Sequence, residues 1–197
     1  MIMRWALQED LDGGCIFMKN IDWASLGFSY MQTDKRYVSN YKDGQWDAGC
    51  LTGDANVVIN ECAGILQYCQ ECFEGLKAYA TEDGSIVTFR PDLNAERMMD
   101  SAARLEMPQF PKERFLEAVD AVVKANAEWV PPYGSGATFY LRPYMFASGP
   151  VIGVHPSDEY QFRIFGTPVG PYFKGGVKAL TLCVSDFDRA APNGTGH

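Results

Sequence analysis

Residues 75–90, Gly-Leu-Lys-Ala-Tyr-Ala-Thr-Glu-Asp-Gly-Ser-Ile-Val-Thr-Phe-Arg, decide the fold class. Gly75–Ala80 and Ser85–Arg90 read as strands, and Asp83-Gly84 between them supplies the positive φ angles of a tight hairpin turn. The arrangement is antiparallel. Downstream the apolar period lengthens. Asn94 can cap a helix that places Leu93, Met98, Ala102 and Leu105 near one side until Pro108 stops it. A second helix follows Pro111, where Phe115, Leu116, Val119, Val122 and Val123 recur at helical spacing; Asn126 interrupts before Trp129 and the Pro131-Pro132 stop. Strand character returns at Ala137–Tyr144 and Gln161–Gly166. Strands, two helices and strands again give an α+β chain, an antiparallel sheet covered by two helices, and not a βαβ alternation.

Upstream, the stretch to about Ala55 carries Trp23, Phe28, Tyr30, Tyr37, Tyr41 and Trp46, with a Lys42-Asp43-Gly44 turn, and reads as a hairpin entering the same sheet. Asn56–Glu61 and Gly64–Phe73 also look like strands. At the other end, Gly166–Gly176 holds four glycines and two prolines in eleven residues, the composition of a linker. The expected organisation is a small N-terminal domain over 1–165, a linker over 166–176, and over 177–197 the first strand of a truncated larger domain. A lone strand is not a domain, so a fragment of something longer is expected.

Composition sets the class. Of 197 residues, 47% are hydrophobic and 21% charged, with enough aromatic side chains to fill a core, so disorder is excluded. Seventeen basic against twenty-five acidic residues give a net charge of -8, the wrong sign for nucleic acid or an anionic membrane. The first thirty residues show no signal peptide, and no apolar run is long enough to span a bilayer. Six cysteines in a chain with this much core read as reduced thiols of a cytoplasmic protein.

Alternation along Ala137–Arg142 puts Thr138, Tyr140 and Arg142 on one sheet face and Ala137, Phe139 and Leu141 on the other. A phenol and a guanidinium thus share a surface near Pro143, suited to a carboxylate or phosphate; the plainer alternative is an exposed edge with a snorkelling arginine. Arg97, three residues after the Asn94 cap, falls in a first helical turn, where the macrodipole disfavours a cation unless an anion is held there. It is a candidate phosphate clamp, unless Asp92 or Glu96 merely screens it. Cys69-Gln-Glu-Cys72 has redox or zinc spacing but lacks a second pair and a helix start, and reads as structural. With His155 and His197 the only histidines, no metal site is expected. Gly-x-Ser-x-Gly, Walker and Gly-x-Gly-x-x-Gly motifs are absent.

Taken in order, Tyr68-Cys-Gln-Glu-Cys-Phe-Glu-Gly-Leu-Lys-Ala78, Phe89-Arg-Pro91 with Asn94-Ala-Glu-Arg-Met98, Trp129-Val-Pro131, Tyr140-Leu-Arg-Pro143 and Pro168-Val-Gly-Pro-Tyr-Phe173 resemble the branched-chain amino acid aminotransferases, fold-type IV pyridoxal phosphate enzymes. The resemblance runs from about Phe28 to His197. It implies that Arg97 and Arg189 bind the phosphate of pyridoxal 5'-phosphate. It implies that Phe28, Tyr68, Phe73, Tyr140 and Tyr172 wall a pocket for leucine, isoleucine and valine. Arg142 would receive the distal carboxylate of glutamate or 2-oxoglutarate. Arg97 and the Tyr140/Arg142 face are expected to converge on one cavity. A homodimer is the implied assembly. The lysine that binds the cofactor covalently follows the segment resembling Gly194–His197 in the family, so no catalytic residue is assigned and this chain is expected to be inactive. The alternatives are another fold-type IV enzyme, a D-amino acid aminotransferase or aminodeoxychorismate lyase, or a non-catalytic dimerisation module ending at His197.

Overall fold

The Asp83-Gly84 signal is realised as a hairpin in the computed structural model, which describes residues 1–5, 18–172, 179–184 and 186. Strands β6 (Leu76–Ala80) and β7 (Ile86–Phe89) pair antiparallel with Ala80 opposite Ile86, and Gly84 takes φ 80° in the turn. Outside β7 lies β1 (Ile2–Trp5). On the other side the sheet continues through β8 (Thr138–Ala147), β9 (Tyr160–Val169), β2 (Arg36–Lys42) and β3 (Gln45–Trp46). The short β4 (Cys50–Thr52) pairs with β2.

Strand β5 (Glu71–Phe73) lies along β8 in the same register as β6, with Phe73 opposite Tyr144 and Leu76 opposite Leu141. The line is interrupted only at Glu74-Gly75, across from Arg142-Pro143. Proline explains the gap. Glu74 N donates to Pro143 O at 2.8 Å, but Pro143 has no N–H to return.

Residues 64–68 differ from the expectation of a strand: Gly64–Tyr68 form a short helix, α1, closed by Cys69 in the left-handed region at φ 52°. The Asn56–Glu61 run is not a strand either. Short apolar runs cannot be told apart by period alone, and here the helix start is pinned onto the end of β8. Gly64 N bonds Gly149 O at 3.1 Å, and a Cβ on Gly64 would stand 2.9 Å from that of Ala147.

Helices α2 (Pro91–Arg104) and α3 (Lys112–Ala125) cover one face. Met98 and Ala102 of α2 are buried as expected, whereas Leu93 and Leu105 are exposed. Phe115, Val119, Val122 and Val123 of α3 enter the core with Phe162 and Ile164 of β9, and Phe110 stacks on Phe162 at a centroid distance of 3.8 Å. Each such side chain contributes about 1.5–3 kcal/mol of burial. Asn126, the polar interruption, is buried because it bridges elements: it accepts from Lys35 N at 3.0 Å and donates to Val122 O at 2.7 Å.

Alternation along β8 and β9 then leaves Tyr140, Arg142, Tyr144, Arg163 and Phe165 on the face that carries no helix. The linker composition starts inside β9. Gly166 is glycine because a Cβ there would lie 2.2 Å from the Phe139 ring, and Pro168 sits past Ile164, where β2 pairing ends. Residues 179–184 are exposed and not in a strand; an apolar stretch without a neighbouring edge has no ladder to join. Among the described residues no helix is long and apolar enough to cross a membrane.

The two thiols of the Cys69/Cys72 pair differ. Both are free, Cys69 exposed and Cys72 buried, and burial, with smaller repulsion from Glu74 and Glu71, pushes the Cys72 thiol up to about 12. A folded-state pKa this high keeps Cys72 a thiol across neutral pH. Iodoacetamide at pH 8 is therefore expected to alkylate Cys69 and spare Cys72 until denaturant is added; equal labelling in mass spectrometry would contradict the burial.

Candidate functional site

Five of the residues singled out in the sequence form a chain of contacts on the helix-free face. The ring of Phe28 meets Tyr140 edge-on at 5.4 Å and Tyr172 at 5.6 Å. Arg142 Nη2 donates to the Tyr140 hydroxyl at 2.9 Å, and its guanidinium carbon lies 4.5 Å from the Phe73 ring centre and 5.3 Å from that of Tyr140. Arg142 is thus sandwiched. Its Nε is buried with no hydrogen-bond partner among the described residues. Apart from Nη2 on Tyr140 the guanidinium makes no hydrogen bond among the described residues, so it keeps donor capacity for an incoming carboxylate, whose bond would be charge-assisted. Phe73 is 60% exposed and Tyr172 72% exposed, so the cage is open to a ligand.

Gly75 makes the Tyr140–Arg142 pair possible. A Cβ at this position would approach the Tyr140 hydroxyl to 2.3 Å, so any other residue would move the phenol off its arginine. Glycine at the strand break is therefore a space requirement of the site.

Arg97 is placed differently from the expectation. Helix α2 begins at Pro91, with Arg90 as its cap at φ 50°, so Asn94 lies inside the helix and Arg97 is its seventh residue, past the first turn. Pro91 was the start signal: its fixed φ and missing N–H suit the first helical position. The dipole argument for a phosphate clamp at the helix start is lost. Instead Arg97 Nε and Nη2 donate to the two oxygens of Glu74 at 2.6 and 2.5 Å, and Asn94 Nδ2 adds a bond to Glu74 at 2.8 Å. The Glu74 side chain is 3% exposed and that of Arg97 is 67% exposed, so a buried carboxylate holds the root of an exposed guanidinium. Neither Asp92 nor Glu96 pairs with Arg97: Asp92 binds Arg90, and Glu96 binds Lys112.

Sequence reasoning missed Glu74. The available signal was a glutamate ending an aromatic strand run, with Asn94 and Arg97 three apart on one helix face. Glu74 and Arg97 stand on the helix side of the sheet and Tyr140 and Arg142 on the other, so the expected single cavity is replaced by two sites back to back across Gly75. Asn94 Nδ2 reaches Gly75 O at 3.4 Å from one side, and the Tyr140 hydroxyl closes on Gly75 from the other.

Tyr68 joins none of these rings; from the end of α1 its hydroxyl donates to Ile152 O. Tyr68 ends the helix and Phe73 lies in β5, so the two do not share one strand. Arg189 lies outside the described residues.

No protein-family profile matches the chain. Solved structures share its fold: a branched-chain aminotransferase of Escherichia coli (TM-score 0.59, 25% identity, 82% of this chain and 49% of that one) and one of Thermoproteus uzoniensis solved with norvaline (TM-score 0.57, 24% identity, 72% and 43%). The fold is that of the small domain of fold-type IV aminotransferases. Among curated proteins, the branched-chain-amino-acid aminotransferase of Haemophilus influenzae is 54% identical over 179 residues, 91% of this chain and 52% of the relative. That of Helicobacter pylori is 46% identical over 181 residues, 91% and 53%. The chain spans about half the length of the curated relatives it matches. Over those aligned residues it is similar to the branched-chain amino acid aminotransferases.

Proposed function

We propose that these residues serve a transaminase that exchanges the amino group between branched-chain L-amino acids and 2-oxoglutarate with pyridoxal 5'-phosphate. The observation that carries the reading is the Arg142 cage: apolar rings for an alkyl side chain, and an unsatisfied guanidinium donor for a distal carboxylate, in one place. Phe28, Phe73, Tyr140 and Tyr172 contact the branched alkyl group and exclude water from it. Arg142, with the Tyr140 hydroxyl, receives glutamate or 2-oxoglutarate. Tyr68 is assigned to the wall by resemblance, and would have to come from α1.

The residues fit the cofactor's phosphate on one count. Glu74 occupies Nε and Nη2 of Arg97 and leaves Nη1 without a partner among the described residues, on a largely exposed side chain. Arg97 then binds one phosphate oxygen while Glu74 fixes its direction; Arg189 is the second phosphate ligand in this reading. Pyridoxal phosphate, when bound, supplies the electron sink for loss of the substrate α-proton. No lysine among these residues is assigned to the covalent chemistry. Lys77, half-buried and paired with Tyr140 across the β6–β8 ladder, is the one whose place invites the test. Pyridoxal phosphate followed by borohydride is expected to leave no stoichiometric label on the 197-residue chain; a clean label at Lys77 would reverse that assignment.

A homodimer in the cytoplasm completes the proposal; for the dimer, Val58, Ile152 and Val154 are exposed aliphatic side chains of the kind a partner covers. The decisive experiment is substrate profiling of the complete enzyme, with its size measured in the same preparation. Exchange between leucine, isoleucine or valine and 2-oxoglutarate is expected, whereas exchange with D-alanine alone would favour the D-amino acid enzymes.

A further inference from the structure

Beyond the Arg142–Phe165 rung on the helix-free face lies a cavity of about 360 Å³, lined by Tyr30, Gln32, Arg36, Tyr144, Arg163 and Phe165 among others. Two arginines in its wall are buried, Arg36 at 3% and Arg163 at 7% exposure, and neither has a carboxylate within 4 Å among the described residues. Arg36 is satisfied by carbonyls, with Nη2 on Thr33 O at 2.8 Å and Nη1 on Gly53 O. Arg163 is held more loosely: its bonds, Nη1 to Gln161 Oε1 at 3.3 Å and Nη2 to Asn56 O at 3.4 Å, are at the weak limit for N–H donors, and the Tyr144 hydroxyl is its remaining partner. Asp54 is the nearby acid, but Asn56 N and Nδ2 hold its Oδ1 at 2.9 Å, and the two guanidinium charges reach it only as lesser influences.

Two buried positive charges whose nearest acid, Asp54, is held by Asn56 rather than by either guanidinium are costly, and an anion in the cavity lowers that cost. Tyr144 stands opposite Arg163 across the ladder, and burial raises its phenol above the ordinary value, so it remains a hydrogen-bond donor at neutral pH. Part of the remaining wall is aromatic: Tyr30 packs on Phe165 at 5.7 Å and Tyr144 on Phe165 at 6.0 Å. A bare inorganic ion would leave those rings unused. The size is at the small end of ligand cavities, which run from about 300 to 1,000 Å³. We propose that this cavity is a second anion site, separate from the Arg142 cage, which takes a small organic carboxylate with its charged end on Arg163 and Tyr144 and its carbon skeleton on Phe165.

The probe is succinate, titrated into the 197-residue chain at constant ionic strength and followed by thermal midpoint and by tyrosine fluorescence. An Arg142→Gln background silences the cage, so that the outcome does not depend on the transaminase reading. Expected is a saturable rise in midpoint that chloride does not produce, with affinity lowered about tenfold or more by adding Arg163→Gln, the loss of a charge-assisted bond. Tyr144→Phe, which removes one hydroxyl and retains the ring, is expected to weaken binding about threefold; it decides the matter should the Arg163 variant fail to fold. Unchanged affinity in the folded Arg163 variant, or in Tyr144→Phe when that variant is unfolded, would overturn the proposal. So would a shift that chloride reproduces, or succinate binding that weakens as the chain dimerises, which would assign the arginines to a carboxylate of a second copy.

Discussion

Arg142→Gln in the complete enzyme is expected to lower kcat/KM for 2-oxoglutarate by about 10- to 100-fold, the equivalent of a lost charge-assisted hydrogen bond of roughly 1.5–3 kcal/mol. The leucine half-reaction should fall much less, because in the proposed reading the alkyl group is received by Phe28, Tyr140 and Tyr172, whose mutual edge-on contacts do not involve Arg142. Some loss for leucine is built in: Arg142 lies over the Phe73 ring, and that stacking goes with the charge. Arg142→Lys should not restore 2-oxoglutarate, since an ammonium cannot both donate to the Tyr140 hydroxyl and keep a flat face against Phe73. Stopped-flow measurement of the two half-reactions separates the effects. Equal losses in both would mean that Arg142 merely props the rings, and the carboxylate role would have to be given up.

The parts of this site that alternation and turn chemistry govern were legible before any coordinates. Asp83-Gly84 locates one hairpin, and the period-two run from Thr138 to Arg142 places Tyr140 beside Arg142 on one face. What was not legible depends on where the chain crosses itself. Arg97 was read from a cap at Asn94, but Pro91 starts the helix earlier, and the residue that determines the behaviour of Arg97, Glu74, is twenty-three positions away. Gly75 opens a strand in the sequence pattern, but the reason it is glycine is the Tyr140 hydroxyl across the ladder. Gly166 and Pro168 were counted as linker by composition, although one makes room for Phe139 and the other lies beyond the last β2 pair. Composition is a local quantity, whereas close approach is a tertiary one.

Glu74→Ala tests the helix-side half of the site. The carboxylate accepts three hydrogen bonds, two from Arg97 and one from Asn94, and is almost wholly buried. Removing a partner from a fully buried ion pair costs about 3–5 kcal/mol, but Arg97 is two-thirds exposed and can turn to water, which discounts the loss. About 2 kcal/mol of destabilisation is therefore expected, a fall of roughly 4–8 °C in Tm for a chain of this size. Arg97→Ala alone strands a buried carboxylate with only Asn94 and should cost as much or more, while the double variant should be less unstable than the two losses added, since it leaves no unpaired charge. In the complete enzyme Glu74→Ala should also weaken pyridoxal phosphate binding about tenfold with Arg97 still present, as expected of a positioning residue that aims a guanidinium it does not replace. Two results would refute this account: a Tm unchanged within a degree, or additive losses in the thermodynamic cycle. Either would mean that the Glu74–Arg97 contact does not hold α2 against the strand break.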